Sequence, residues 1–309
     1  MEDKTMDYIL ETNALCKSYG KARILKDVAV HIPKGSIYGL IGKNGAGKTT
    51  LMRILTGLQR PSSGTYAISG VSDTDADISK VRRRIGSLVE SPALYKDMSA
   101  YENMKIQSLN LGLPSYDHID ELLKITGLAD TGRKPAGKFS LGMRGRLGIA
   151  LAMCGDPDIL ILDEPVNGLD PQGMIEIREM ILELNKKKGT TILISSHLLD
   201  ELSRVATHYG FIDRGRIIRE ISKEDLEKSL NKTTTLKVTD VPGTLKVLDR
   251  ESVKYEVISD DGIMLFDCMM NPSEIISSLS SEGITVTGFN QNEESLESYF
   301  MNLLSEGDN

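Results

Sequence analysis

The sequence predicts an α/β protein: a parallel-sheet core with a helical subdomain inserted into it, followed by a small α+β domain. Three observations carry that reading. Short apolar strands such as SIYGLIG, DILILDEP and GTTILISSH alternate with helical segments through about residue 220, the pattern of strands buried on both faces of a parallel sheet. Between two of these strands, Ala100 to Cys154 is mostly helical in spacing, with YENMKIQSLNLG and YDHIDELLKITGL as amphipathic segments. After KEDLEKSLNKTTT the order becomes βαββαβα, which suits a ferredoxin-like unit. The resulting boundaries are 1–225 for the core, about 92–155 for the subdomain within it, and 226–309 for the appendage.

Each element has its own local reason. SIYGLIG runs into Gly42, and KTTLMRILTGL has helical spacing with a terminal glycine, Gly57. The run IGSLV from Ile85 reads as a strand heading inward that ends on Glu90 in VESPALY, so a buried strand end leaves a carboxylate with no evident partner. Pro92 turns Ser91 away from helix, so the connection into the subdomain is extended. KVRRRIG at Lys80 reads as a solvated helix face, and NKKKG at Asn185 as a cationic helix end stopped by Gly189. In the appendage TLKVTDV, KYEVIS, IMLFD and ITVTGF are strands, while PSEIISSLSSEG and NEESLESYFMNLL are helices.

Composition narrows the function classes. Of 309 residues, 40% are hydrophobic and 26% charged, as in ordinary globular proteins. A net charge of −7 argues against a nucleic-acid partner. Cys16, Cys154 and Cys268 are far apart and lack CxxC spacing, so all three are expected as free thiols in a reducing cytosol. MEDKTMDYILET has no apolar h-region, and no run has the length of apolar residues that spans a bilayer. A membrane role is therefore expected only through a partner.

The chemistry begins with GKNGAGKT, which fits G-x-x-x-x-G-K-[ST] and lies between a strand and a helix. Gly42, Lys43, Asn44, Gly45, Ala46, Gly47, Lys48, Thr49 and Thr50 are the expected phosphate cradle. Lys48 is placed to reach the β- and γ-phosphates, and the Thr49 hydroxyl to ligate Mg²⁺. The strand ILILDEP then delivers Asp163 to the ligand-binding edge of the sheet, to hold the magnesium shell, with Glu164 beside it to orient or deprotonate water. These features specify nucleoside triphosphate hydrolysis. A guanine-specific enzyme would carry NKxD, whereas NKTT at Asn231 lacks the Asp. A second anion device follows in FSLGMRGRLGIALAMCG, where Ser140 and Gly142 stand at the mouth of a helix. With one phosphate loop already present, the economical explanation is that this device reads a γ-phosphate on another subunit.

With these residues in view, the chain resembles the ATPase subunit of ABC transporters, over about residues 7–225. The resemblance implies a P-loop, RecA-like core that uses ATP and Mg²⁺. It assigns Ser140, Leu141, Gly142 and Met143 to the signature acting in trans, Tyr19 in KSYGKARIL to adenine stacking, and Asp170 in NGLDP to the dimer-interface loop. It also assigns His197 in ISSH to the γ-phosphate switch, beside Glu164 as the second catalytic residue. Two cassettes, in the simplest case two copies of this chain, would sandwich two ATP molecules head to tail. A separately encoded permease would hold them at the cytoplasmic face of the membrane.

The chain departs from the family pattern at three places: Glu90 replaces the usual Gln, SLGM replaces SGGQ, and Gly145 stands where Gln is common. Glu90 with SLGM resembles the subgroup that exports or resists antimicrobial peptides of the bacitracin and lantibiotic-immunity kind, and Glu90 is expected to join Thr49 and Asp163 as a metal ligand. Other readings stay open at this point: a cassette ATPase in translation or DNA maintenance, or the ATPase of an exporter or importer of another substrate. Translation factors of this type carry two cassettes and a basic character, and DNA clamps carry long coiled coils; this chain shows neither.

Overall fold

The computed structural model describes residues 7–230, 232–266, 272–293 and 295–306; Cys268 and Asn231 lie outside them. The chain divides into two compact units, 1–224 and 225–309.

The first unit opens with a long hairpin, β1 (Tyr8–Tyr19) and β2 (Ala22–Pro33), followed by β3 (Ile37–Ile41), α1 (Lys48–Leu55), β4 (Ser63–Ile68), β5 (Val71–Ser72), α2 (Ile78–Arg82) and β6 (Ile85–Leu88). Three helices follow, α3 (Ala100–Asn110), α4 (His118–Ile125) and α5 (Leu141–Met153). The chain then returns through β7 (Ile159–Asp163), α6 (Pro171–Lys188), β8 (Thr191–Ser196), α7 (Leu199–Ser203), β9 (His208–Asp213) and β10 (Arg216–Ser222).

A six-stranded sheet has the order β10-β9-β3-β8-β7-β6, parallel except for β10. Every residue of β3, β7 and β8 is buried, which is why these strands read as unbroken apolar runs. The antiparallel sheet β2-β1-β4-β5 joins the core through α1: Leu15, Leu25, Ile32, Leu51, Met52 and Ile161 belong to one apolar cluster. Register then fixes the site. Ile41 pairs with Ser196 and Asp163 with Ser195, so β3, β7 and β8 end together at one sheet edge.

In the helical insertion, Ser99 and Glu102 form a reciprocal capping box at the start of α3. Ser108, His118 and Cys154 meet in a polar tie among its helices, with Ser108 Oγ 3.1 Å from His118 Nε2 and 3.2 Å from the Cys154 sulfur. Helix α5 lies so close to β6 that a Cβ on Gly86 would sit 2.1 Å from the Ala152 carbonyl oxygen. Cys16 and Cys154 are both buried free thiols.

Two expectations change. Strand β6 ends at Leu88, before Glu90, whose side chain is 58% exposed and ion-paired with Arg53, so no carboxylate is stranded at a buried end. The basic run at Lys80 is also more than a solvated face. Arg82 bonds the Tyr66 hydroxyl and lies 5.6 Å from its ring centroid, and Arg84 makes two hydrogen bonds, of 2.9 and 2.7 Å, to Asp158. The helix end at Lys188 does stop on Gly189 in the left-handed conformation.

After α8 (Lys223–Ser229), the second unit contains β11 (Lys232–Val238), α9 (Val241–Arg250), β12 (Lys254–Val257), β13 (Gly262–Phe266), α10 (Pro272–Ser281), β14 (Val286–Glu293) and α11 (Leu296–Glu306). Its antiparallel sheet has the order β12-β13-β11-β14, that of a ferredoxin-like fold. The unit has its own core, in which Leu236 and Ile263 pair across the sheet and pack with Val247, Leu248 and Leu279.

Candidate active site

The loop between β3 and α1 is shaped by glycines that tolerate no side chain. A Cβ on Gly42 would fall 2.4 Å from the Ile212 carbonyl oxygen, and Gly47 caps α1 at φ 114°, with Leu25 where its Cβ would be. The free N–H groups of the first turn of α1 therefore open onto the loop. Lys48, only 5% exposed, bends back so that Nζ donates to the Gly42 carbonyl at 2.7 Å and the Lys43 carbonyl at 3.3 Å. A buried lysine tied to its own loop is a preset counter-charge for phosphate. The adjoining cavity, about 370 Å³, is walled by Tyr19, Asn44, Gly45, Thr49, Arg53 and Gln59 among others. The Tyr19 hydroxyl is bonded to Gln59, and Lys17 Nζ lies 5.2 Å from the ring centroid.

The end of β7 supplies the carboxylates. Asp163 is buried, and its Oδ1 accepts a 2.6 Å hydrogen bond from the Ser195 hydroxyl. The same hydroxyl accepts the Glu164 N–H at 3.0 Å. Glu164 has φ 47°, the left-handed region, and its side chain gathers three partners. Lys48 Nζ lies 3.3 Å from Oε1, His197 Nδ1 2.8 Å from Oε2, and the Asn167 amide donates to Oε2 at 3.3 Å. The structure thus brings Lys48, Glu164 and His197 into one charged cluster, although they come from three separate sequence motifs. Ser195 and Asn167, which bond the carboxylate residues, and Arg53, which lines the phosphate-loop cavity, are neighbours that motif reading missed; the sequence signals for Ser195 and Asn167 are only their places in ISSH and NGLDP.

Thr49, Glu90, Asp163 and Glu164 share a second cavity of about 710 Å³. This donor set fits Mg²⁺: a hydroxyl and carboxylates are hard oxygen ligands, and Ser195 fixes one Asp163 oxygen while leaving Oδ2 for another bond. No group of three or more His, Cys, Asp or Glu side chains forms a ready metal cage among the described residues. The remaining coordination would fall to phosphate oxygens and water, the usual arrangement for this ion.

Ser140 is the N-cap of α5, its Oγ accepting the Met143 N–H at 3.2 Å, and it does not line the phosphate-loop cavity of its own chain. Leu141 beside it is half exposed, and a Cβ on Gly142 would meet nothing closer than 3.7 Å. Asp170 caps α6 in the same manner, its Oδ1 accepting the Gly173 N–H at 3.0 Å. Arg146 on α5 ties the two helices together through Glu176 on α6, at 3.1 Å.

A phosphate loop, a carboxylate pair and a histidine gathered at one edge of a parallel sheet define a nucleoside triphosphatase. The family model described as ABC transporter matches residues 25–167. Bacitracin transport ATP-binding protein BcrA of Enterococcus faecalis is 37% identical over 303 residues, 98% of each chain. BcrA of Bacillus licheniformis is 38% identical over 304 residues, 98% of this chain and 99% of its own. Lantibiotic transport ATP-binding protein SrtF of Streptococcus pyogenes is 48% identical over 226 residues, 72% of this chain and 96% of its own. Among solved structures, CbiO1 of Clostridium perfringens, part of an ABC transporter complex, has 32% identity and a TM-score of 0.65, covering 72% of this chain and 92% of its own. The chain belongs to the ABC transporter ATP-binding proteins: it binds ATP and is an ATPase coupled to transport. No described helix is long and apolar enough to cross a membrane.

Proposed function

We propose that this chain powers the export of antimicrobial peptides of the bacitracin or lantibiotic class through a separately encoded permease. It would act on the cytoplasmic face of the membrane as a head-to-tail pair of cassettes. The observation that carries the reading is the match, along 98% of this chain, to two bacitracin transport ATP-binding proteins. Glu90 and the SLGM signature pull the same way, whereas translation and DNA maintenance find no support in the comparisons. Exposed apolar side chains favour a docked partner: Tyr95, Met98 and Tyr101 are 53%, 36% and 38% exposed where the Glu90 loop enters the helical insertion.

In this mechanism Tyr19 stacks on adenine, and the amides of Gly42 to Thr50 with Lys48 hold the phosphates. Thr49, Asp163 and Glu90 would hold Mg²⁺, which would supply positive charge against that of the phosphates. Glu164 orients and deprotonates the attacking water, and His197, already bonded to Glu164, contacts the γ-phosphate. Ser140 to Met143 close the site of the opposite cassette, with Asp170 at the shared interface. A dimeric structure of the bacterial ABC transporter cassette MJ0796, 25% identical with a TM-score of 0.63, supports such a pair.

The test is bacitracin and lantibiotic resistance in a sensitive bacterium expressing this chain with its permease. Resistance should appear with the wild type and vanish with Lys48→Ala. Purified Glu164→Gln should dimerise with Mg-ATP. Unchanged peptide sensitivity would sink the substrate assignment, and a variant that stays monomeric would sink the paired mechanism.

A further inference from the structure

Glu90 already has a partner in this structure, and that partner stands beside the proposed metal site. Arg53 lies four residues after Thr49 in α1, so the guanidinium and the hydroxyl share one helix face, one turn apart. Both line the nucleotide cavity with Tyr19 and Gln59, while Glu90 and Thr49 line the neighbouring one. The Glu90 carboxylate is ion-paired with Arg53, the two side chains being 58% and 31% exposed. Glu90 also holds φ 66°, a left-handed conformation that a residue with a side chain keeps only where its surroundings enforce it. The ion pair and the left-handed backbone thus meet at one residue of the loop.

Glu90 is thus paired with an arginine one helical turn from Thr49, the hydroxyl that would hold the metal. We propose that Arg53 is a positioning residue that competes with the metal for Glu90. The Arg53–Glu90 ion pair holds the loop from Val89 to Tyr95 one turn beyond Thr49. When Glu90 exchanges the guanidinium for the metal, the loop shifts toward Thr49, and Arg53 is left free to face the nucleotide. The loop leads directly to the exposed Tyr95, Met98 and Tyr101, so the exchange carries the state of the site to the surface where a permease would dock. The inference rests on the reading of Glu90 as a metal ligand.

A cycle of four full-length proteins tests it: wild type, Arg53→Gln, Glu90→Gln and the double variant. Each is titrated with Mg²⁺ in the presence of a fluorescent non-hydrolysable ATP analogue, with binding in EDTA as the reference. Glu90→Gln should raise the Mg²⁺ concentration at half-saturation. Arg53→Gln should lower it about two- to fivefold in the wild-type background, the size expected of a partly exposed ion pair, and should not change it in the Glu90→Gln background. Arg53→Lys should keep the wild-type value. If Glu90→Gln leaves Mg²⁺ dependence unchanged, the metal reading of Glu90 fails and the competition with it. If Glu90→Gln raises the requirement but Arg53→Gln shifts nothing, or shifts both backgrounds equally, the metal reading stands and the role of Arg53 is overturned.

Discussion

Ser195 shows how the site can depend on a residue to which the recognised motifs assign no role. Its hydroxyl donates to Asp163 at 2.6 Å and accepts the Glu164 backbone N–H at 3.0 Å, so one side chain fixes the Asp163 carboxylate and anchors the backbone from which Glu164 projects. The Glu164 N–H keeps the Ser195 carbonyl as a second acceptor, at 3.2 Å, but buried Asp163 Oδ1 would lose its donor in Ser195→Ala. That loss should cost about 1–3 kcal/mol in urea denaturation, together with a fall in ATPase turnover; a variant as stable and active as wild type would show the bond to be dispensable. His208 gives a pH prediction. Burial holds its imidazole below the usual histidine range, against the opposing pull of Glu224 and Glu220. With the folded value depressed, the unfolded chain takes up a proton first as pH falls. The stability His208 contributes is complete above the unfolded value near 6.5 and is lost as pH falls from there toward the lower folded value. The drop in melting temperature between pH 7.5 and 5.5 should be smaller in His208→Gln than in wild type; equal drops would refute this.

Among elements, the buried parallel strands were legible because burial on both faces leaves continuous apolar runs, as in β3, β7 and β8. The antiparallel sheet of β1, β2, β4 and β5 was not. Its long hairpin breaks alternation at register shifts between Thr12 and Leu15 and between Leu15 and Lys17, with Ala14 at φ 45° and Asp27 at φ 55°, so the period-two signal is lost. The site divides along the same line. Contiguous motifs announced Lys48, Asp163, Glu164 and His197, whereas the contacts of Arg53, Asn167 and Ser195 with Glu90, Glu164 and Asp163 arise from tertiary register that no local pattern encodes. Gly210 on β9 is another such position. Tyr38 on β3 crosses it to donate to Glu220 on β10 at 2.6 Å, and Glu220 also accepts the His31 N–H from β2 at 2.9 Å. A Cβ on Gly210 would lie 2.1 Å from the Tyr38 hydroxyl. Gly210→Ala should therefore cost about 1–3 kcal/mol by overpacking, while Tyr38→Phe, which leaves Glu220 its His31 donor, should cost about 1 kcal/mol. Chemical denaturation of the two variants checks the order, and a neutral Gly210→Ala would mean that Tyr38 has another route to Glu220.

At the scale of the whole molecule, the division near residue 224 has a functional consequence. Every residue assigned to nucleotide, metal, signature or interface, from Tyr19 to His197, lies in the first unit. The second unit has its own sheet and its own apolar core, so its folding does not depend on supplying residues to the site. The relatives divide accordingly. The BcrA proteins match along 98% of this chain, while SrtF matches 226 residues, 72% of it. A chain ended after Leu230, so that α8 is kept whole, should bind the fluorescent ATP analogue with unchanged affinity and unchanged Mg²⁺ dependence. Resistance assays with the permease would then show whether the second unit acts on transport alone. Loss of nucleotide binding in a truncated chain that still melts cooperatively would contradict this assignment, because it would require the second unit to hold part of the site.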